Sequence, residues 1–569
     1  MSNKEKILLV LLPYWSPLIP PLGISCLKSY LCGHGYDVTI RDANTEKELE
    51  KIYNRYFDTL KSYVPGEKQG NFYNLGNYVW QDHMMAYLNY KDKKAFVGLV
   101  RLLIWQTFFV DVKDREVDEL NKYAAEFYTW LEGYFIALLE REKPTVLGLS
   151  VYSGALPASV FAFKLTRERY PVIKTVMGGG VFAEALAPGS ANLDYFLDQT
   201  RDFIDTIIIG EGEQLFLKML RRQLPPSQRV YTLKDIDREV LDLSQVDIPD
   251  YADLNLPCYP YLASYTGRSC PFQCGFCSET VQWGPYRRKS AGQVVKELNR
   301  LSRQHNCRLF LMGDSLLNPI VTELARECLN ENCSIYWDGY LRADRHACDP
   351  GNAALWRQGG FYRARLGVES GSPRVLKTMG KKITVEQIRS AVSNLAAAGI
   401  KATTYWVVGY PEETEADFQH TLDLIEQLKD DIYEADCNPF TYFPIGQVNS
   451  NRWAEQYTDS LLYPEEAAEM LWVQTWIINC RPHREEMYKR LNRFVRHCAR
   501  LGIPNPYSLR DIYQADERWK KLHPNSVPPL LEFLRCRESG DTEIIDEVRN
   551  GTPIVKAQNI FQNEEDWGF

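Results

Sequence analysis

The first third of the chain alternates short apolar runs with stretches whose apolar positions recur every three or four residues. KILLVLL (residues 6–12) reads as a buried strand, PLGISCLKSYLCGHG as a helix closed by glycine, and DVTIRDAN as a second strand. After an interruption the alternation resumes with TVLGLSVYS, a helix over SVFAFKLTRERY, the strand of IKTVMGGG, and DTIIIGEGEQLFLKML as strand and helix. This order predicts an α/β fold whose first domain, residues 1–225, is a doubly wound parallel sheet binding ligands where loops leave the carboxyl ends of the strands. The interruption, about residues 45–142, is rich in Tyr, Trp and Phe. In its later half Val117, Leu120, Ala124, Phe127, Leu131, Phe135 and Leu138 share one helical face, so a helical insertion packed on the sheet is expected, with its aromatic residues as core.

Residues 226–261 contain closely spaced prolines in IPD, LPC and YPY and read as a linker. Between residues 262 and 440 come six β-rich runs, each followed by a helical stretch: YLASYTG, RLFLMGD, SIYWDGY, YRARLGVES, KATTYWVVG and YEADCNPF. Six such units predict a partial (β/α)6 barrel, with its chemistry at the C-terminal ends of the strands. Residues 441–569 are expected to form a helical C-terminal domain, RPHREEMYKRLNRFVRHCARLG being its clearest helix.

Composition narrows the class. A chain of 569 residues, 45% hydrophobic and 25% charged, has the profile of a soluble protein of several domains. Its 66 basic and 74 acidic side chains give a net charge of −8, which argues against nucleic acid as the partner. The apolar N-terminus lacks a small-residue cleavage site, and AFVGLVRLLIWQTFFV is broken by Arg101 and Gln106. A cytoplasmic protein without a membrane span is expected, its 14 cysteines reduced and most of them small buried hydrophobes.

Three cysteines stand apart. SCPFQCGFCSE sets Cys270, Cys274 and Cys277 at C-x3-C-x2-C, directly after the first barrel strand, with Gly275 expected to let the loop turn sharply. Zinc wants four ligands, and no fourth Cys or His follows at finger-like spacing; the nearest downstream histidine is His305. An iron–sulfur cubane takes its thiolates on separate irons and can leave one iron open for a substrate or cofactor.

CPFQCGFC resembles the signature of radical S-adenosylmethionine (SAM) enzymes. The resemblance implies a [4Fe–4S] cluster on the three cysteines, SAM on its open iron, and Phe276 near the adenine. Along the following strands it extends to Asp314 in FLMGDS, Arg342 in GYLRAD, Glu369 and Ser370 in GVESGS, and Gly409 and Pro411 in VVGYPEET as SAM-binding positions. The family's usual glycine-glycine-glutamate after the second strand is replaced by MGDS.

The small-residue loops of the first domain, with Gly23 in PPLG, MGGG, and Gly210, Glu211 and Gly212 in GEGE, could let a large planar cofactor approach the backbone. Ahead of such a barrel this domain resembles the cobalamin-binding domain of B12-dependent radical SAM enzymes, which assigns Ser150, Tyr152, Ser153, Gly178, Gly179 and Gly180 to the corrin tail. No D-x-H-x-x-G is present, so cobalamin without histidine ligation is expected, and Trp15 in YWSPLIPPLG is a candidate for the face beneath cobalt.

The family resemblance implies a cobalamin-dependent radical SAM C-methyltransferase acting on an unactivated carbon of a peptide, a carrier-bound peptide or a small natural product. Flavodoxin or ferredoxin would be its electron donor. Tyr405 and Trp406 are candidates for shaping the substrate pocket. Ring closure or rearrangement with the same cofactors, tRNA methylthiolation, and a corrinoid or iron–sulfur carrier or sensor are the rival readings.

Overall fold

The computed structural model describes residues 5–13, 19–237, 239–259, 261–505 and 509–524. Trp15 lies outside the described residues.

The first six strands are β1 (Lys6–Leu11), β2 (Asp37–Asp42), β3 (Val146–Ser150), β4 (Lys174–Gly178), β5 (Thr206–Ile208) and β6 (Val230–Tyr231). They form one parallel sheet in the order β2-β1-β3-β4-β5-β6, the doubly wound arrangement that the alternation of strands and helices predicts. β1 sits between β2 and β3, buried on both faces, which explains its unbroken apolar run. The chain leaves the sheet in opposite directions on either side of β1 and opens a crevice at the β1/β3 carboxyl ends.

The insertion is all-helical, with long helices at Lys47–Tyr63, Phe72–Asn89, Lys93–Phe108 and Asp114–Glu142. All seven apolar positions read from the sequence as one face of the last helix are buried. Tyr53, Tyr56, Phe57 and Trp80 pack ring against ring inside it, so much of the aromatic enrichment is core.

The segment expected to be a linker is a fitted strap. It begins with β6, the edge strand of the first sheet. Asp253 then accepts from Lys28 Nζ (2.8 Å) and the Ile40 amide (3.0 Å), and Tyr259 donates to Asp42 Oδ2 (2.7 Å). Pro257 sits in a 3-10 turn over Leu256–Cys258.

Beyond it come β7 (Leu262–Ser264), a short antiparallel pair β8 (Gly267–Arg268) and β9 (Arg287–Arg288), then β10 (Leu309–Met312), β11 (Tyr336–Leu341), β12 (Phe361–Glu369), β13 (Lys401–Val408) and β14 (Glu434–Pro439). The six long-range partners pair in parallel in the order β14-β13-β12-β11-β10-β7, an open partial barrel whose strands fall on the six predicted runs. Its interior holds charges that the runs disguised as polar breaks. Arg365 pairs with Asp338 at 2.7 Å and Arg363 with Glu434, all four fully buried, so each charge has its partner in a site closed to water.

Among its described residues the C-terminal region is mixed, not purely helical. The helix Arg484–Arg500 forms as predicted and packs on β14 and β13, but β15 (Asp459–Leu461) and β16 (Trp476–Ile478) make an antiparallel ribbon ahead of it.

Candidate functional site

Cys270, Cys274 and Cys277 follow β8 in an irregular loop at the C-terminal mouth of the barrel and are unbridged. The backbone holds the loop from outside. Gly275 N donates to Met379 O (2.8 Å), Asn449 N to Gly275 O (2.9 Å), Val448 N to Cys277 O (3.0 Å), and Gln447 Nε2 to Phe276 O (2.9 Å). Gly275 has no left-handed φ; it is needed for close approach, because a Cβ there would stand 2.1 Å from Asn449 Nδ2. The staple at residues 447–449 carries no motif that would mark it in one dimension.

Arg342, at the end of β11, sets its guanidinium 3.5 Å from Cys274 Sγ and 4.1 Å from the centre of the Phe272 ring. A cation beside the sulfur suits a thiolate ligand. Its Nη2 is buried without a hydrogen-bond partner, a donor left over for an anionic group. Among the described residues no three His, Cys, Asp or Glu side chains converge as ligands of a single ion would. A cubane, which takes one thiolate per iron, does not require that convergence, so the donor set fits a cluster.

Around the loop, Glu369 ends β12 at φ 65°, and its carboxylate pairs with Lys381 Nζ at 2.5 Å. A non-glycine residue held in this region at a strand end is the kind of local strain found at functional sites. Gly409 N donates to Glu413 Oε2 (2.9 Å), which also accepts from Arg490 Nη1 (2.8 Å). Phe276, Glu369, Gly409, Tyr405 and Trp406 all line one cavity with Cys277. Ser370 and Pro411 are buried behind that wall. Asp314 is also turned from it: its carboxylate accepts from Thr266 N (2.8 Å) and Thr266 Oγ1 (2.5 Å), tying β10 to the stretch before the cysteines. Burial pushes the Asp314 carboxyl up to about 6 despite those hydrogen bonds.

The first domain has its own cavity at the sheet's switch point, a slot of about 80 Å³ lined by Gly23, Ser150, Gly178, Gly179, Gly210 and Gly212, with Phe216, Arg268 and Trp283. Gly179 lies at φ +112° and a Cβ there would stand 2.4 Å from Val151 N, so no side chain fits. Tyr152 and Ser153 do not reach this slot; they line the larger cavity instead. Gly180 lines neither.

Glu211 and Glu213, in the GEGE loop, meet Arg268 and Arg287 of the β8–β9 pair. Burial would raise the Glu211 carboxyl, but Arg268 and Arg287 outweigh it and hold it below its ordinary value. This buried charge network joins the slot to the strand that delivers Cys270, and the sequence pattern alone gives no sign of it.

The cysteine loop at the barrel mouth and the glycine-lined slot of the doubly wound sheet are thus joined in one chain. Residues 264–425 match the Radical SAM superfamily. The chain is 24% identical over 332 residues to the anaerobic magnesium-protoporphyrin IX monomethyl ester cyclase of Rubrivivax gelatinosus, covering 54% of this chain and 58% of that protein. It is also 24% identical over 313 residues to an uncharacterized methyltransferase of Pyrococcus horikoshii, covering 51% of this chain and 66% of that protein. The chain thus spans between half and two thirds of these curated relatives. Its fold is shared with the radical S-adenosylmethionine methyltransferase TsrM from Kitasatospora setae, solved with cobalamin and a [4Fe–4S] cluster bound (TM-score 0.59, 14% identity, 94% of this chain and 100% of that one).

Arg342→Ala is expected to weaken SAM binding by about 10- to 100-fold, the worth of a charge-assisted pair, with iron and sulfide content retained. Arg342→Lys should not restore it, since a point charge lacks the planar fork. Equilibrium dialysis with labelled SAM on the cluster-loaded protein checks this.

Proposed function

We propose that the chain is a cobalamin-dependent radical SAM methyltransferase that alkylates a carbon of a peptide or small organic molecule. The observation that carries the reading is one cavity of about 930 Å³ lined from both domains: Cys277, Phe276, Glu369 and Gly409 from the barrel, Tyr152, Ser153 and Val181 from the first sheet. That volume suits SAM together with a second molecule of modest size. The two domains therefore address one chamber, as a transfer between two cofactors requires.

Cys270, Cys274 and Cys277 would hold the cluster; Arg342, Glu369 and Gly409 would orient SAM; and the glycine slot would take the nucleotide tail of cobalamin. Bound there, these groups supply reductive cleavage of SAM and methyl transfer through the corrinoid. The chain's own part is placement and exclusion of water. Lys381 neutralises Glu369 and fixes its direction at the chamber wall. His483, Arg484, Met487 and Tyr488 close the chamber from the C-terminal side, where an open mouth would let solvent in.

The decisive experiment loads the protein anaerobically with cobalamin and adds SAM bearing a deuterated methyl group under reducing conditions. Label recovered on the corrinoid supports methyl transfer. Cobalamin bound but unlabelled, with 5′-deoxyadenosine released, favours ring closure or rearrangement, the reading to which the similarity to a cyclase points.

A further inference from the structure

The insertion supplies a wall of the chamber that neither cofactor explains. From the helix Phe72–Asn89, Asn74, Asn77, Tyr78, Gln81, Asp82 and Met85 recur at three- and four-residue spacing and all line the cavity. A polar helical stripe normally faces bulk water; this one faces the chamber.

Asp82 is the exceptional member. It makes no hydrogen bond or ion pair among the described residues. Burial without a compensating cation raises its carboxyl to about 7. The other charges of the chamber do not serve it. Glu369 is paired with Lys381, Asp459 accepts from Tyr442 (2.9 Å), and Glu485 pairs with Lys489 (2.7 Å). Arg484 donates to Gln106 O (3.0 Å) and to the Tyr488 hydroxyl (2.8 Å). Glu184, also on the wall, has Oε1 buried without a partner. Among the described residues the chamber therefore holds two carboxylates without an ion-pair partner, Asp82 and Glu184, against the single guanidinium of Arg484, and Tyr78, Tyr152, Tyr405, Phe440, Trp476 and Tyr488 surround them with aromatic faces. A carboxylate among aromatic rings suits an organic cation and disfavours an anion.

We propose that Asp82 receives a basic nitrogen of the substrate, so that the enzyme acts on an amine-bearing molecule with an apolar or aromatic body. The inference rests on the chamber being the substrate site, as proposed above. A carboxylate- or phosphate-bearing substrate would have to bring its charge against Asp82 and Glu184. The unpaired carboxylate is the stability cost of that preference, a trade common at binding sites.

The test uses the full-length, cluster-loaded protein with SAM present and three probes of similar size: 2-phenylethylamine, 2-phenylethanol and 3-phenylpropionate, their affinities measured by calorimetry at pH 8. The amine should bind at least about tenfold more tightly than the alcohol, the increment of a charge-assisted hydrogen bond, and the propionate least. In Asp82→Asn that preference should shrink to about twofold or less, with the SAM affinity unchanged and the melting temperature at pH 8 raised by loss of the unpaired charge. An amine that binds no better than the alcohol, or equally well to wild type and Asp82→Asn, overturns the inference. A variant that melts lower and loses SAM affinity assigns Asp82 a structural role and overturns it too. Failure of the wild type to release 5′-deoxyadenosine would count against the proposed activity alone, because the probe comparison reads the chamber's charge without turnover.

Discussion

Cys274→Ala is expected to abolish 5′-deoxyadenosine formation, a fall of more than about a hundredfold, because losing one of the thiolates proposed to hold the cluster exceeds the 10- to 100-fold typical of losing a group that only supports a ligand. Cys274 is the buried member of the three and the one beside the Arg342 guanidinium. Its removal takes away one of three thiolates and leaves that cation without its sulfur. The loop itself should survive. Its backbone is fixed through Gly275 N to Met379 O and through the amides of Val448 and Asn449, none of which uses the thiol. The first sheet should be untouched, since Cys274 belongs to neither of the apolar clusters that hold its two faces. Iron and sulfide content should fall together with activity, while far-ultraviolet dichroism and cobalamin binding hold. Cys328→Ala, at another buried cysteine on the helix Val321–Asn330, is the matched control and should keep its cluster. SAM cleavage by a cluster-free Cys274→Ala protein would remove this loop from the reaction.

What the sequence made legible follows from local physics. Parallel strands covered on both faces are short and apolar, so β1 and the six barrel strands stand out as runs. The cysteine spacing is a local feature and survives in one dimension. Features made by long-range pairing do not. Asp253 and Tyr259 bind the strap to Lys28 and Asp42, more than two hundred residues earlier, and nothing near them distinguishes such a strap from a loose proline-rich linker. β15 and β16 are three residues each, too short for alternation to register. The wall made by Asn77, Gln81 and Asp82 has the same pattern as a solvated helix face, because hydrophobic periodicity reports which side is apolar and not what lies opposite. Arg268 and Glu213 are equally silent: a lone arginine and a lone glutamate acquire meaning only when the fold sets them 2.5 Å apart.

Gly178→Leu should separate corrinoid binding from every other property of the chain. Gly178 ends β4 and lines the slot at the switch point of the first sheet. Its φ is not left-handed, and a Cβ there would meet only Ile208 O, at 3.4 Å, so the backbone can carry a side chain with little adjustment. The neighbouring Gly179 offers no such test, because any Cβ would collide with Val151 and the fold would fail with the site. A leucine side chain at 178 extends from a wall of a slot of only about 80 Å³ and would occupy it. An aromatic base losing about 150 Å² of burial forfeits about 4 kcal/mol, so cobalamin affinity should drop several hundredfold. Iron and sulfide content should not change, since the cluster loop hangs on Met379 and residues 447–449. SAM cleavage without product methylation is then the expected phenotype, measured as 5′-deoxyadenosine released with no label on the corrinoid or on substrate. Cobalamin held by Gly178→Leu as tightly as by the wild type would mean that the nucleotide tail does not enter this slot, and the corrinoid reading would have to rest on the larger chamber alone.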